Sequence, residues 1–287
     1  MYGVTGITGR VGGVVGRTLL EEGRPVRAIV RAAARAEPWI GQGAEAAVAD
    51  IGDAEALERA FTGLEGVFIL APPSFAPLVG FPEARRITAA LRTALLRSRP
   101  GRVVCLSTIG AQVKRANLLN QLGILEQALE SLPVPVAFLR AAWFMENAAW
   151  DVAPARDRGV VETYLQPVEK RFPMVSVEDV GRVAAELLQQ RWTGRRVVEL
   201  EGPTRVSPRE IGGAFSRLLN LDVRLAAVPR ETWQRRFEAE GNVWPEPRIQ
   251  MLDGFNEGWI EFEGGGAEAR MGVVGIEDAL KQLMRRG

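Results

Sequence analysis

The sequence predicts an α/β fold: a doubly wound parallel sheet, with a smaller α+β domain after it. Three observations lead there. Short apolar runs alternate with amphipathic stretches of helical period as far as about residue 150. The first run ends in closely spaced glycines that open a helix. Gly66 to Ala71 is apolar throughout, as in a strand covered on both faces.

The elements follow in order. Met1 to Thr5 reads as a strand and Val11 to Glu22 as a helix, with Val14, Val15, Leu19 and Leu20 on one side and Gly23 just past its end. Pro25 to Arg31 is the second strand and Glu45 to Asp50 the third. Asp53 caps a helix from Ala54 to Phe61. Pro72-Pro73 stops the Gly66–Ala71 strand. Pro82 to Arg97 is a long helix, Arg102 to Leu106 a strand ending in Ser107-Thr108, Leu118 to Ser131 a helix and Val136 to Arg140 a strand. Beyond 150 the pattern loosens. Ser176 opens a helix to Gln190, with Asp179 completing a capping box. Val197 to Leu200 is a strand, and Ser207-Pro208-Arg209-Glu210 is a second helix start. Gly264-Gly265-Gly266 reads as a loop. The expected division is a dinucleotide-type domain over 1–150, taking in 176–202 as well, and a smaller substrate or lid domain over 151–287, interwoven with it.

Composition narrows the function. Among 287 residues, Lys+Arg number 36 and Asp+Glu 35, so no overall field draws the chain to nucleic acid or an acidic membrane. Only Lys114, Lys170 and Lys281 are lysines, a habit of GC-rich genomes. Histidine is absent, which removes histidine metal ligands and bases, and no metal is expected. The single cysteine, Cys105, lies in an apolar run and reads as an inert buried thiol; with no disulfide possible, a reducing cytoplasm is expected. No apolar run reaches the roughly 20 residues of a membrane span. No signal peptide is expected, and oligomeric state is left open.

The pattern Gly6-x-x-Gly9-x-x-Gly12 between a strand and a helix is a phosphate-binding turn. Backbone N–H groups must approach a pyrophosphate closely, and the helix start faces its charge. Gly6, Thr8, Gly9, Arg10, Val11 and Gly12 are assigned to it, with Thr5 and Thr8 stiffening the turn or donating to phosphate. The second strand ends in Arg31, with Arg35 after it and no acid to take a ribose 2′-hydroxyl. Guanidinium groups suit a 2′-phosphate, so the expected cofactor is NADP(H); a solvated helix face is the alternative for both arginines. Further cofactor contacts are expected at strand ends: Asp50, Ile51, Ala71, Pro72, Pro73, Ser107, Thr108 and Phe144.

Thr5-Gly6-Ile7-Thr8-Gly9-Arg10-Val11-Gly12, Gly66 to Pro73, Leu106-Ser107-Thr108-Ile109-Gly110-Ala111, Phe138 to Asn147 and Val175 to Val180 stand in an order that resembles the NmrA-like atypical short-chain dehydrogenases/reductases. The resemblance implies a Rossmann domain, a small C-terminal substrate domain with a cleft between, and NADP(H) with positions 31 and 35 on its 2′-phosphate. It also implies one of two functions: reduction of quinones or dyes, or cofactor sensing without turnover. One departure matters. A Tyr-x-x-x-Lys pair should follow Ser107-Thr108 by about a dozen residues, but Asn117 to Ile124 holds neither residue. Where many members keep a lysine, Ile124 or a neighbour stands, and Ala141 replaces a proline after the arginine.

No catalytic residue is therefore assigned. A ketone reduced by hydride leaves an alkoxide that needs a placed acid, whereas a reduced quinone anion can be protonated by water. The expected function is NADPH-dependent reduction of a quinone-like, electron-poor and planar small molecule; the alternative is an NADP(H) sensor. Phe75, Trp143 and Asn147 are the candidate substrate contacts, with Trp150 a further stacking candidate, although aromatic residues fill cores as readily. Glu146 and Asn147 fit a polar substrate edge or a helix cap equally. Glu126 reads as a helix-face charge.

Overall fold

A computed structural model describes residues 1–286. Its first half is β1 (Tyr2–Thr5), α1 (Arg10–Glu21), β2 (Val26–Val30), α2 (Glu37–Ile40), β3 (Glu45–Val48), α3 (Ala54–Phe61), β4 (Gly66–Ile69), α4 (Pro82–Ser98), β5 (Val103–Thr108), α5 (Asn120–Leu129) and β6 (Val136–Ala141). The second half holds β7 (Trp143–Phe144), α6 (Val152–Arg158), β8 (Val160–Thr163), β9 (Met174–Val175), α7 (Val177–Gln189), β10 (Arg195–Glu201), α8 (Pro208–Leu219), β11 (Arg224–Ala227), α9 (Trp233–Ala239), α10 (Glu246–Glu257), β12 (Glu268–Met271) and α11 (Ile276–Arg286).

An eight-stranded sheet runs β12-β10-β6-β5-β4-β1-β2-β3, with every neighbouring pair parallel. The α/β expectation holds: helices cover both faces, because these strands are apolar on both. On β5, Val104 and Leu106 enter the core under α1 and α7, while Val103 and Cys105 enter the one under α3, α4 and α5. The strand order reverses between β1 and β4, since β2 and β3 lie on one side of β1 and β4 to β6 on the other. Ligands of open parallel sheets settle at such a switch point, beyond the strand carboxyl ends.

The second half serves two places. α7 packs on α1, and β10 and β12 extend the main sheet beyond β6. Two small parallel pairs, β11-β8 and β7-β9, and the apolar cluster of Leu118, Met145, Phe172, Trp233, Phe237 and Phe255 stand over the strand ends.

The caps at Asp53 and Ser207 form as the sequence predicts, the latter as a full capping box with Glu210. At α7 the structure differs. Ser176 accepts from the Glu178 N–H, but Asp179 does not reach back to it. The buried Asp179 carboxylate instead accepts from Val273 N (3.0 Å) and Val274 N (2.9 Å) and pairs with Arg182, which fastens the chain after β12 to the sheet. Asp179→Ala leaves two half-buried N–H groups without this acceptor. It is expected to destabilise the protein by about 2–4 kcal/mol, read as a lower urea midpoint with unchanged slope.

Candidate functional site

The turn after β1 has the geometry its glycines predict. Gly6 has φ +62°, a conformation open to glycine at little cost. Gly9 N donates to Gly6 O at 2.9 Å. A side chain on Gly12 would set its Cβ 2.3 Å from Gly6 O, so the turn and the first turn of α1 close on each other only because Gly12 has none. No side chain caps α1 at Gly9, and no acid occupies its first turn. Thr8, Gly9 and Arg10 are exposed around this positive helix end, while Val11 is buried. Thr5 faces elsewhere. Its buried hydroxyl donates to Phe68 O (3.1 Å) and accepts from Leu70 N (2.9 Å), tying β1 to β4 below the turn. Arg10 is also turned aside, donating to Glu146 O at 3.1 Å.

Beyond β2, Arg31 and Arg35 are exposed and unpaired with any acid among the described residues, whereas Arg27 inside the strand is taken by Glu45. Arg35 lies in a single 3-10 turn, Ala33–Arg35, rather than on a long helix face. Asp50 spends an oxygen on Gly52 N (2.8 Å) and so shapes the turn after β3. Ile51 and Ala71 are half-buried against the α3–α5 core, and Pro72 and Pro73 are exposed.

Ser107 and Thr108 end β5. β4 stops in register at Ile69 opposite Cys105, and β1 at Val4 opposite Phe68 in their pairing, so the end of β5 overhangs the switch point. Thr108 is half-buried there. Ser107 is buried, and its hydroxyl donates to Glu126 Oε1 at 2.5 Å. Glu126 is therefore no helix-face charge. Both its oxygens accept from Arg140 of β6, Nε at 3.0 Å and Nη2 at 2.7 Å. Arg140 Nη1 reaches Glu263 at 2.6 Å and lies 3.7 Å from Glu199 of β10, whose oxygens accept from Glu263 N and Gly264 N. Burial pulls the Arg140 pKa down, but the bonds and charges of Glu126 and Glu263 push it further up, so the guanidinium stays protonated. Burial, with the Glu126 charge adding to it, pushes the Cys105 thiol well above its ordinary value, which leaves it inert.

The aromatic candidates separate. Phe144, in β7, is half-buried against the core beneath α1 and α7. Trp143 packs edge-on against Phe255 (5.2 Å between centroids, 89°). Trp150 is 85% exposed and Phe75 59%. Phase and charge resolve the next pair: Asn147 is exposed, but Glu146 is buried and accepts from Ser176 Oγ (2.8 Å) and Val177 N (3.0 Å), so it is a cap for α7. Nothing in the sequence marks Gln121. Its buried amide grips Ser74 at both ends, accepting from N at 3.0 Å and donating to O at 2.9 Å, and Asn242 donates to Phe75 O at 3.0 Å. The segment after β4 that carries Phe75 is thus held from α5 on one side and from the residues before α10 on the other.

With this geometry in place, the comparisons are direct. The sequence profile of the NmrA-like family matches residues 3–247. The chain belongs to the NmrA-like family. Among similar proteins, the NAD(P)H azoreductase of Xenophilus azovorans is 28% identical over 255 residues, covering 88% of this chain and 84% of the relative. The NADPH-dependent quinone oxidoreductase of Escherichia coli, solved with NADPH, superposes with a TM-score of 0.78 at 20% identity, over 99% of this chain and 100% of that one. The Citrobacter triphenylmethane reductase, solved with NADP(H), gives 0.78 at 18% identity, over 98% and 99%. These structural likenesses establish an α/β Rossmann-like fold. Among the described residues no helix is long and apolar enough to cross a membrane, and no group of three or more Cys, Asp or Glu is placed to hold a metal ion.

One carboxyl in the segment after β7 is shifted by its surroundings. Burial, with Glu162 facing it, raises Asp151, at the end of the 3-10 segment Met145–Asp151, to about 7. A carboxyl raised in the folded state favours folding below its ordinary range, and that contribution is lost as pH climbs toward 7. Asp151→Asn is therefore expected to raise the melting temperature at pH 8, by about 2 kcal/mol in stability terms, and to change little at pH 4. Melting curves of both proteins across that range check the sign.

Proposed function

We propose that this protein is an NADPH-dependent reductase of quinone-like or dye-like, electron-poor planar molecules. The observation that carries the reading is the uncapped start of α1, closed on Gly6 through Gly12 at the switch point of the sheet. A Cβ at position 12 would fill the place where the turn must pack, so the site fits a group bound by backbone N–H rather than by side chains. In this reading the first turn of α1 holds the pyrophosphate of NADP(H), and Thr8 lies beside it. Arg31 and Arg35, unpaired at the end of β2, take the 2′-phosphate. In the same reading Ser107, Thr108 and Phe144 flank the nicotinamide, Trp143 and Phe75 bound a flat acceptor, and Asn147 lies at its edge. The bound cofactor supplies hydride.

The chain's own share is orientation. Of its two tyrosines, Tyr2 is buried inside β1, and Tyr164 packs against Trp233 and Phe237. Neither is set beside Ser107 as an acid for an alkoxide. That favours acceptors whose reduced anion is weakly basic and takes its proton from water. The relatives named for azo, quinone and triphenylmethane dye reduction support the same class.

The direct test follows NADPH absorbance with a panel of quinones and azo and triphenylmethane dyes. Gly9→Asp serves as the blank: aspartate is a good helix N-cap, so α1 still starts, but its carboxylate occupies the phosphate position. Oxidation that the blank lacks is expected. Binding of NADPH without turnover of any acceptor would instead favour the sensor.

Arg31→Ala separately tests the cofactor assignment. It is expected to weaken NADPH by about 10- to 100-fold, the worth of a charged hydrogen bond, and to leave NADH almost untouched. Equal losses for both cofactors would remove Arg31 from the 2′-phosphate.

A further inference from the structure

Ser107 has one proton, and its use is settled by what surrounds it. Its Oγ lies 2.5 Å from Glu126 Oε1. That oxygen also accepts from Arg140 Nε, and Glu126 Oε2 accepts from Arg140 Nη2. A carboxylate gripped at both oxygens by a guanidinium is ionised and can only accept. The hydroxyl must therefore donate toward Glu126, which leaves its lone pairs for whatever lies beyond the end of β5.

We infer that Glu126 is a positioning residue that fixes Ser107 as a hydrogen-bond acceptor for the amide N–H of the nicotinamide carboxamide. The inference rests on the cofactor reading above. Three structural facts support it. Ser107 stands on the strand that overhangs the switch point. Its side chain is on the α5 face, as Cys105 is two residues earlier. Its partner is locked in turn: Arg140 is held by Glu126 and Glu263 with Glu199 alongside, so Glu126 cannot turn away without leaving a buried guanidinium short of a partner.

The polarity has a chemical consequence. An alkoxide formed by ketone reduction would have to draw the proton from Ser107 and leave a second anion against the Glu126 carboxylate. A quinone makes no such demand: hydride adds two electrons and one proton, and the resulting hydroquinone monoanion takes its remaining proton from water. Glu126 thus makes Ser107 unfit as an acid.

The test measures binding, not turnover. It compares NADP+ with its 3-acetylpyridine analogue, which keeps the carbonyl but lacks the amide N–H donor, by calorimetric titration of the unmodified protein, Ser107→Ala and Glu126→Gln. The unmodified protein is expected to prefer NADP+. Ser107→Ala should weaken NADP+ by about three- to tenfold, the worth of one neutral hydrogen bond, and leave the analogue within about twofold, so that the preference collapses. Glu126→Gln frees the hydroxyl to turn and should collapse the preference in the same way. Should that variant not fold, Ser107→Ala, which removes a single oxygen, decides alone. Equal losses for both ligands in Ser107→Ala would mean that Ser107 donates to the carbonyl, and no loss for either would mean that it does not touch the carboxamide; each overturns the inference. Failure of the unmodified protein to bind NADP+, or binding undiminished in Gly9→Asp, overturns the cofactor reading itself and the inference with it.

Discussion

Arg140 sets the terms for the centre of this protein. Its side chain is 5% exposed in the middle of a parallel sheet, where an unpaired guanidinium would cost several kcal/mol. Every neighbour on the carboxyl side of β6 is arranged around it: Glu126 from α5, Glu199 from β10, and Glu263 from the segment between α10 and β12. One cation facing those carboxylates is not an economical core. What it achieves is direction. Ser107, Glu126 and Arg140 hold each other in one arrangement, and the N–H groups of Glu263 and Gly264 are held by Glu199. This layer below the crevice is polar and held together by charged hydrogen bonds.

The turn after β1 is built on the opposite principle. Its one charged residue, Arg10, is turned aside to Glu146 O. Its attraction is the unspent backbone of α1, brought close because Gly6 and Gly12 lack side chains. Charge stands apart, on Arg31 and Arg35 past β2. One end of the crevice is thus a committed network and the other an uncommitted one. A ligand with a neutral ring at one end and phosphates at the other matches both.

The sequence makes β1 to β6 legible because each strand is an unbroken apolar run between helices of clear period. The turn is legible because its constraint is local. The buried network is not, since its partners stand 14 and 123 residues apart. The available signal was an arginine inside the apolar run Val136 to Phe144: a charge on a strand covered on both faces requires a buried acid somewhere. β12 shows no strand signal at all, because Glu268 and Arg270 are polar and its ladder comes from β10. Residue type could not sort the aromatic residues either. Trp143 has a partner in Phe255, whereas Trp150 and Phe75 face solvent. Glu146 shows how a cap can hide: the helix it caps begins at Val177, 31 residues away.

The reach of Arg140 also orders events during synthesis. β6 can pair with β5 as soon as both have left the ribosome, but Glu263 follows Arg140 by 123 residues. At ordinary translation speeds that is roughly 6–25 s. Through that interval the nascent sheet holds a guanidinium that only Glu126, joined later by Glu199, can offset. The edge of β6 is covered earlier, once β10 (Arg195–Glu201) pairs with it, so the backbone ladder closes before the charge at its centre has its full set of partners.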